Sequence, residues 1–590
     1  MSSNTFRIQY LDVLKAVAIL SVLLYHSGYL PYGYLGVDIF LVIAGYLTTK
    51  SLLRKDLNFG GYLSFEISRI IRLLPPLLLA GVFCMALGWF SMIDDTYESL
   101  SQSVIATNFF GNNIVELIAS GDYWRADIIF SPLMHTWYVG LVMQFYLVYP
   151  LLFIIAKQIN KDDNNLCLIK IIIAVAVISL FIFWEEQDSA RRFYLLSSRF
   201  FEFAIGGLLA FIPQKVQSHS RFISYLCYAL LIVLLVANGE FVSAQLKLLM
   251  VVALTSILIL SGDTLENKVT GNVWLARIGA ASYSIFVWHQ VILAFYRSIA
   301  GSHFTLLSYW GCLVAIALMS WLSYKYVEQV TTRLHKEQKG TRILYWTTLV
   351  VFLLLNVFTF GVYKNAGVVR DIPELEVKLD SPQRGKWAAY NSRNLNEDHS
   401  FITGKEHWFV IGNSYARDFI NIIKESGISD KVEVSYCECT GGNFNFMSDS
   451  YDDRFQYADK IFISSKSLNE KMIREIEIRA IAFGHDLNDV IVVGEKEFGE
   501  TMTQVYVRRF SRDYYNTLIH IKKESLDNNM HFKHMYGNRY LDLLGLIVNN
   551  EGEVRAFTDD NMFISSDCIH LTKAGAKMFA NKIQWNQFLQ

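Results

Sequence analysis

The chain has 590 residues, 53% of them hydrophobic and 14% aromatic, with a net charge of −1. A mean hydropathy of +0.28 excludes an ordinary soluble enzyme, and the near-zero charge selects no class of partner. The sequence carries no nucleic-acid signature and no cluster with metal-ligand spacing.

The apolar residues are unevenly spread. Residues 1–363 hold many runs of about 20 apolar residues, the length that crosses roughly 30 Å of hydrocarbon. Residues 364–590 read as mixed soluble sequence, long enough for one core. In chain order, runs near 11–30, 34–54, 73–93, 133–156, 168–185, 199–213, 222–238, 246–262, 280–300, 304–325 and 343–363 predict eleven spans. The first contains Lys15 and lacks a small-residue cleavage site, so a cleaved signal peptide is not expected.

Lysine and arginine in the short loops give sidedness. With the N-terminus inside, the inner loops hold Lys50, Arg54, Lys55, Arg69, Arg72, Lys157, Lys161, Lys170, Lys215, Arg221, Lys268, Arg277 and the basic stretch "HKEQKGTR". Outer loops 28–36 and 239–245 have none, 96–132 has only Arg125, and 186–198 is the exception with Arg191 and Arg192. An odd number of spans then leaves the soluble part outside. The expected layout is a multi-pass α-helical membrane domain at 1–335, a linking span and extracytoplasmic linker at 336–400, and a soluble α/β domain at 401–590. In that last part the runs "WFVIG", "VEVSY", "KIFIS" and "VIVVG" alternate with helix-like segments, the pattern of a parallel sheet.

Ionisable groups inside spans are costly and face a protein interior or a wet path. Asp12, Lys15 and His26 fall in the first span. Lys15 and His26 share a helical face about 16 Å apart along the axis. A snorkelling lysine and an interfacial histidine are the alternative. Arg69 and Arg72 lie on one face at the inner surface and suit a phosphate-bearing ligand, with positive-inside anchoring as the alternative. Asp38, Arg199, Glu202, His289 and Glu328 complete the set.

The order of these features is what carries a resemblance. Asp12, Lys15 and His26 open it; "GVDIFLVIAGYL" follows with Ala44 at a usual serine; then come Arg69, Arg72 and Pro75. "HTWYVGLVMQFYLVYP" at 135–150, the Arg199–Glu202 pair, "SYSIFVWH" and "VEQV" complete the sequence of motifs. Over most of residues 6–330 the chain resembles the acyltransferase family 3 membrane domain. Val142 and Met143 stand where an acidic pair precedes "QFY" in that family, so no glutamate is assigned there and Gln144 is kept as a structural marker. The resemblance implies transfer of acetyl from cytoplasmic acetyl-CoA, a co-substrate; no metal is expected, because the Asp and Glu positions are too scattered to propose one. It also implies that His26 is the essential acid/base or relay group and that Lys15, Arg69 and Arg72 meet the coenzyme phosphates.

The stretch "HWFVIGNSYARDF" runs from strand-like sequence into a turn at Gly412-Asn413-Ser414. Ser414 alone reads as a helix cap. "SSDCIHLTKAGAKMFA" changes that reading, because Asp567 and His570 are spaced as a histidine oriented by a carboxylate. Serine early and Asp-x-x-His late resemble the SGNH/GDSL hydrolase fold, in which Ser414 is the nucleophile, His570 the base and Asp567 its partner. The oxyanion donors are then the Ser414 N–H and Gly441 or Gly442, of which Gly442 is preferred; Ser464 or Ser465 stands where that fold has an asparagine. A disulfide from Cys568 to Cys437 or Cys439, which would tie two loops in an oxidising compartment, and free buried thiols are both left open.

The combined expectation is an O-acetyltransferase of the bacterial inner membrane, N-terminus cytoplasmic and C-terminal domain periplasmic. Its acceptor is a surface glycan, lipopolysaccharide O-antigen before peptidoglycan. An esterase acting on acetylated glycan and a non-enzymatic carrier of a small molecule through the spans are the rivals, and membrane lipid surrounds the spans.

Overall fold

The computed structural model describes residues 9–55, 57–120, 128–160, 164–212, 221–237, 242–261, 272–336, 338–439, 445–466 and 468–589. The chain forms two compact units, one of Met1–Gly88, Ser99–Arg297 and His303–Tyr363, the other of Trp89–Glu98, Ser298–Ser302 and Lys364–Gln590.

Among its described residues the first unit holds helices and no strand. Each of the eleven apolar runs carries a helix. Among the described residues eight helices are long and apolar enough to cross a membrane, and a ninth crossing results if Val273–Ala280 and Ser282–Ala300, bent by 68°, form one span. The other two runs give the shorter helices Leu196–Leu209 and Arg221–Val236. The first three spans are α1 (Gln9–His26), α2 (Gly36–Leu52) and α3 (Phe59–Ser91). At 33 residues α3 is about 50 Å long and exceeds the hydrocarbon thickness. It begins well before the apolar run because "FGGYLSFEISRIIR" continues the helical pattern, which puts Arg69 and Arg72 on the same helix as the span.

Small residues set the closest packing. A Cβ at Gly45 of α2 would stand 1.9 Å from the Phe203 carbonyl, and one at Gly206 would stand 2.0 Å from that of Val42. The two backbones therefore touch, as membrane helices do where glycines face each other. Across this contact Arg199 reaches Asp38 on α2 and pairs with Glu202 at 2.8 Å. Two buried carboxylates thus share one guanidinium, while among the described residues Arg199 Nε and both Glu202 oxygens have no hydrogen-bond partner, so charge proximity rather than hydrogen bonding offsets the cost of burial here.

The second unit is α/β. Its parallel sheet runs β2-β1-β3-β4-β6, with β1 (Glu406–Gly412), β2 (Val432–Glu438), β3 (Lys460–Ser464), β4 (Val490–Val493) and β6 (Tyr540–Leu541). A separate antiparallel pair joins β5 (Leu518–His520) to β7 (Glu553–Arg555). The first four sheet strands are the four apolar runs of the sequence. They are apolar on both faces because both are covered: Trp408, Val410, Phe462 and Val493 point into one core, Phe409, Ile411, Ile463 and Val492 into the other.

One expectation changes here and one open alternative closes. The stretch 364–400, read as a linker, is part of this unit: Leu375, Val377 and Trp387 are buried in its core, and Asn391 Nδ2 donates to the Ser414 carbonyl at 2.8 Å. Of the two alternatives for the cysteines, free buried thiols are what the structure has. Cys437 and Cys439 face each other, Sγ to Sγ 4.0 Å, in the core on one side of the sheet, while Cys568 is buried in the core on the other.

Candidate functional site

Strand β1 ends at Gly412, whose φ is +151°. An added Cβ there would lie 1.8 Å from the Ser464 carbonyl. Only glycine lets the chain leave β1 this close to β3. Asn413 then caps the helix Ser414–Lys424, its Oδ1 accepting the Tyr415 N–H at 3.1 Å. Its amide donates to Ser465 Oγ at 2.9 Å. The cap is therefore Asn413 rather than Ser414, and the serine hydroxyl is left for another partner.

That partner is His570. Ser414 Oγ and His570 Nε2 are 2.9 Å apart, and His570 Nδ1 is 2.6 Å from Asp567 Oδ2. A carboxylate only accepts, so Nδ1 carries the hydrogen and Nε2 is left to accept from the serine. Asp567 Oδ1 also accepts the N–H groups of Ile569 at 2.9 Å and His570 at 2.7 Å, which closes the turn. Within this turn Cys568 has φ +70°, a conformation a non-glycine side chain adopts at a cost. Burial pushes the Asp567 carboxyl up, but the neighbouring His570 charge and these hydrogen bonds outweigh it and hold the group below its ordinary value. A line of this kind draws the proton from a serine hydroxyl as it attacks a carbonyl and stabilises the imidazolium that results.

The Ser414 N–H lies in the first turn of its helix, where donors point outward and the dipole favours negative charge. Gly441 and Gly442 lie outside the described residues. Ser464 and Ser465 are both buried at the end of β3.

In the membrane unit the motifs converge. The His26 and His289 rings are 5.2 Å apart and those of His135 and His289 5.1 Å. His289 Nδ1 donates to the Phe286 carbonyl at 2.7 Å and His135 Nε2 contacts that of Val287 at 3.2 Å. These bonds leave His289 Nε2 and His135 Nδ1 buried without a partner. Arg297 donates to the His26 carbonyl, and Ser284 Oγ donates to Glu328 at 2.9 Å, joining "SYS" to "VEQ". Sequence reasoning had no role for His135, although its place in "HTW" marks it.

Lys15 pairs with Asp12 at 3.3 Å on α1. Arg69 and Arg72 lie one turn apart on α3. The Arg69 guanidinium lies between the Phe65 and Tyr146 rings, 4.7 and 5.1 Å from their centroids, and its Nε is buried without a partner. Arg72 is exposed. An orphaned guanidinium N–H beside a second arginine fits a phosphate.

Fold and site define a membrane protein whose α/β unit carries a serine–histidine–aspartate line. The chain belongs to the acyltransferase 3 family: residues 8–325, more than half of it, match that acyltransferase domain. Among curated relatives, a Staphylococcus aureus (strain COL) protein provisionally named an O-acetyltransferase is 27% identical over 399 residues, 60% of this chain and 63% of its own length. BcsY of Komagataeibacter xylinus, provisionally named a membrane-bound transacylase, is 27% identical over 333 residues, 54% of this chain and 81% of that one. YrhL of Bacillus subtilis (strain 168), provisionally named a peptidoglycan O-acetyltransferase, is 24% identical over 436 residues, 67% of this chain and 66% of that one. The chain thus spans 63% of the length of the first of these relatives. No solved structure matches.

Proposed function

We propose that this chain is a membrane O-acetyltransferase. It takes acetyl from cytoplasmic acetyl-CoA and delivers it to a sugar hydroxyl of an extracytoplasmic glycan, O-antigen being the acceptor we favour. The protein sits in the bacterial inner membrane with its N-terminus inside and its SGNH-like unit in the periplasm. Positive-inside loop charge supports this orientation.

The observation that carries the reading is the Ser414–His570–Asp567 line, 2.9 and 2.6 Å, in a chain that belongs to an acyltransferase family. Ser414 Oγ attacks the acetyl carbonyl while His570 Nε2 takes its proton. The departing group leaves with that proton, and Ser414 holds the acetyl as an ester. A sugar hydroxyl then attacks, gives its proton to His570, and frees Ser414 as the proton returns to Oγ. On the membrane side His26 is the acid/base or relay group, and Lys15, Arg69 and Arg72 hold the coenzyme phosphates.

A peptidoglycan acceptor is the second reading, favoured by the name of the Bacillus relative. Deleting the gene and comparing acetyl content of lipopolysaccharide and peptidoglycan by NMR tests both. Loss from one fraction, restored by the wild-type gene but not by Ser414→Ala, is expected. Unchanged acetylation in every surface glycan would overturn the reading.

A further inference from the structure

Behind the serine and histidine lies a second pair of charges that no motif marks. Lys496 Nζ and Asp418 Oδ2 are 2.8 Å apart, with side chains 1% and 0% exposed. Asp418 stands one turn beyond Ser414 on the same helix. Its Oδ2 accepts the Leu571 N–H at 3.1 Å, and its Oδ1 accepts from Asn391 Nδ2 at 2.6 Å. Lys496 Nζ donates to the Ile569 carbonyl at 3.0 Å and lies 3.6 Å from the Tyr415 ring centroid. The Tyr415 hydroxyl in turn donates to the Lys496 carbonyl at 3.1 Å.

Ile569 and Leu571 are the neighbours of His570 on either side. One ion pair therefore grips the backbone before and after the imidazole and fixes both ends to the helix that carries the serine. The bonds made by Asp567 cannot do this, because they close within their own turn. The three directions of the ammonium are spent on Asp418, Ile569 and the tyrosine face. Burying two charges is costly, and an apolar pair of the same volume holds a core as well or better. Stability alone gives little reason for charge at this place; geometry does.

We propose that Asp418 and Lys496 are positioning residues that set His570 against Ser414. The inference rests on reading Ser414 as the nucleophile. Neither residue touches the reacting atoms. They act by preventing the 569–571 backbone from sliding along the Ser414 helix, a displacement that would lengthen the contact between Oγ and Nε2.

The test uses full-length protein in detergent and a fluorophosphonate probe, whose phosphorus is attacked by serine Oγ with loss of fluoride. Asp418→Asn is nearly isosteric, and the paired Asp418→Leu/Lys496→Met variant removes both charges and their desolvation cost. Both should melt cooperatively. Their maximal labelling rate should fall about ten- to a hundredfold, as for a small misplacement of reacting groups, with half-saturation little changed. A purely architectural pair predicts instead that the double variant regains the wild-type rate along with its stability, and that result overturns the proposal. Loss of cooperative melting in both variants overturns it equally. Absence of labelling in the wild-type chain would instead remove the nucleophile assignment, and this inference with it; Ser414→Ala is the blank for that comparison.

Discussion

Ser414 Oγ meets His570 Nε2 at 2.9 Å across 156 positions of sequence. Two helix starts bring them together. Asn413 caps the helix that Ser414 opens, and Thr572 caps Lys573–Lys582, its Oγ1 accepting the Gly575 N–H at 3.0 Å. Ala416, Phe419, Ile420 and Ile423 of the first helix and Ala576, Phe579 and Ala580 of the second are buried in the same core. Apolar burial at a helical period on both sides thus delivers a hydroxyl and an imidazole to one point.

Ser414→Ala should abolish fluorophosphonate labelling. Asp567→Asn should slow it by about 10³- to 10⁴-fold, because an amide cannot hold the imidazole in the required tautomer. The depressed Asp567 carboxyl gives a sign as well. A carboxylate with a lowered folded pKa contributes stability above its unfolded value and loses it as pH falls through the folded one. Wild-type protein should therefore lose stability below the ordinary carboxylate range, and Asp567→Asn should show a weaker dependence there. Equal acid profiles in thermal melts would contradict this.

Gly412→Ala is expected to cost at least about 2 kcal/mol, since it combines a positive φ with a backbone clash. The added methyl meets the Ser464 carbonyl at 1.8 Å, so either β3 shifts or the serine turn does. Labelling of Ser414 should be lost together with a drop in melting temperature. A folded Gly412→Ala chain labelled at the wild-type rate would refute this account of the turn.

Asp95 offers a test of opposite sign. Burial, and then the charge of Asp567, push its carboxyl up to about 6, against a backbone hydrogen bond from Gly385. A carboxyl raised in the folded state binds more protons there than when unfolded, so stability falls as pH rises from its ordinary value toward about 6. Asp95→Asn should raise the melting temperature at pH 8 and change it little at pH 4. The gain should be about 1 kcal/mol, below the full shift because the group is partly exposed. A uniform change at both pH values would rule out the repulsion.

Strands β1 to β4 and the Ser414–Asp567–His570 constellation were legible because each rests on local signals: apolar runs of strand length, a Gly-Asn-Ser turn, and an Asp-x-x-His spacing; the short strands β5, β6 and β7 give no such run. Three things were not legible. Ser414 reads locally as the cap, yet the cap is Asn413, one residue earlier, whose Oδ1 accepts the Tyr415 N–H and leaves the serine hydroxyl to the distant imidazole. The 364–400 segment lacks strand or helix periodicity, yet Leu375, Val377 and Trp387 enter the core, a tertiary outcome that polar composition hides. Asp418 and Lys496 sit 78 positions apart in the numbering, and a charge in a helix reads as solvated until its partner is seen. The one available hint was the carboxylate four residues after the serine, on the same helical face.

The last prediction concerns the membrane unit. His26 ends α1, with its ring 5.2 Å from that of His289; His289 in turn donates from Nδ1 to the Phe286 carbonyl, so its Nε2 carries a lone pair. An alanine at 26 removes the only imidazole of α1 while keeping helix propensity, and the carbonyl that Arg297 contacts is retained. His26→Ala should therefore abolish glycan acetylation at a normal protein level. Fluorophosphonate labelling of Ser414 should persist at the wild-type rate, because the α/β unit keeps its own serine, histidine and aspartate. Full acetylation in His26→Ala cells would sink the relay assignment. Loss of acetylation and labelling together would instead point to misfolding, which the protein level and the melting curve would reveal.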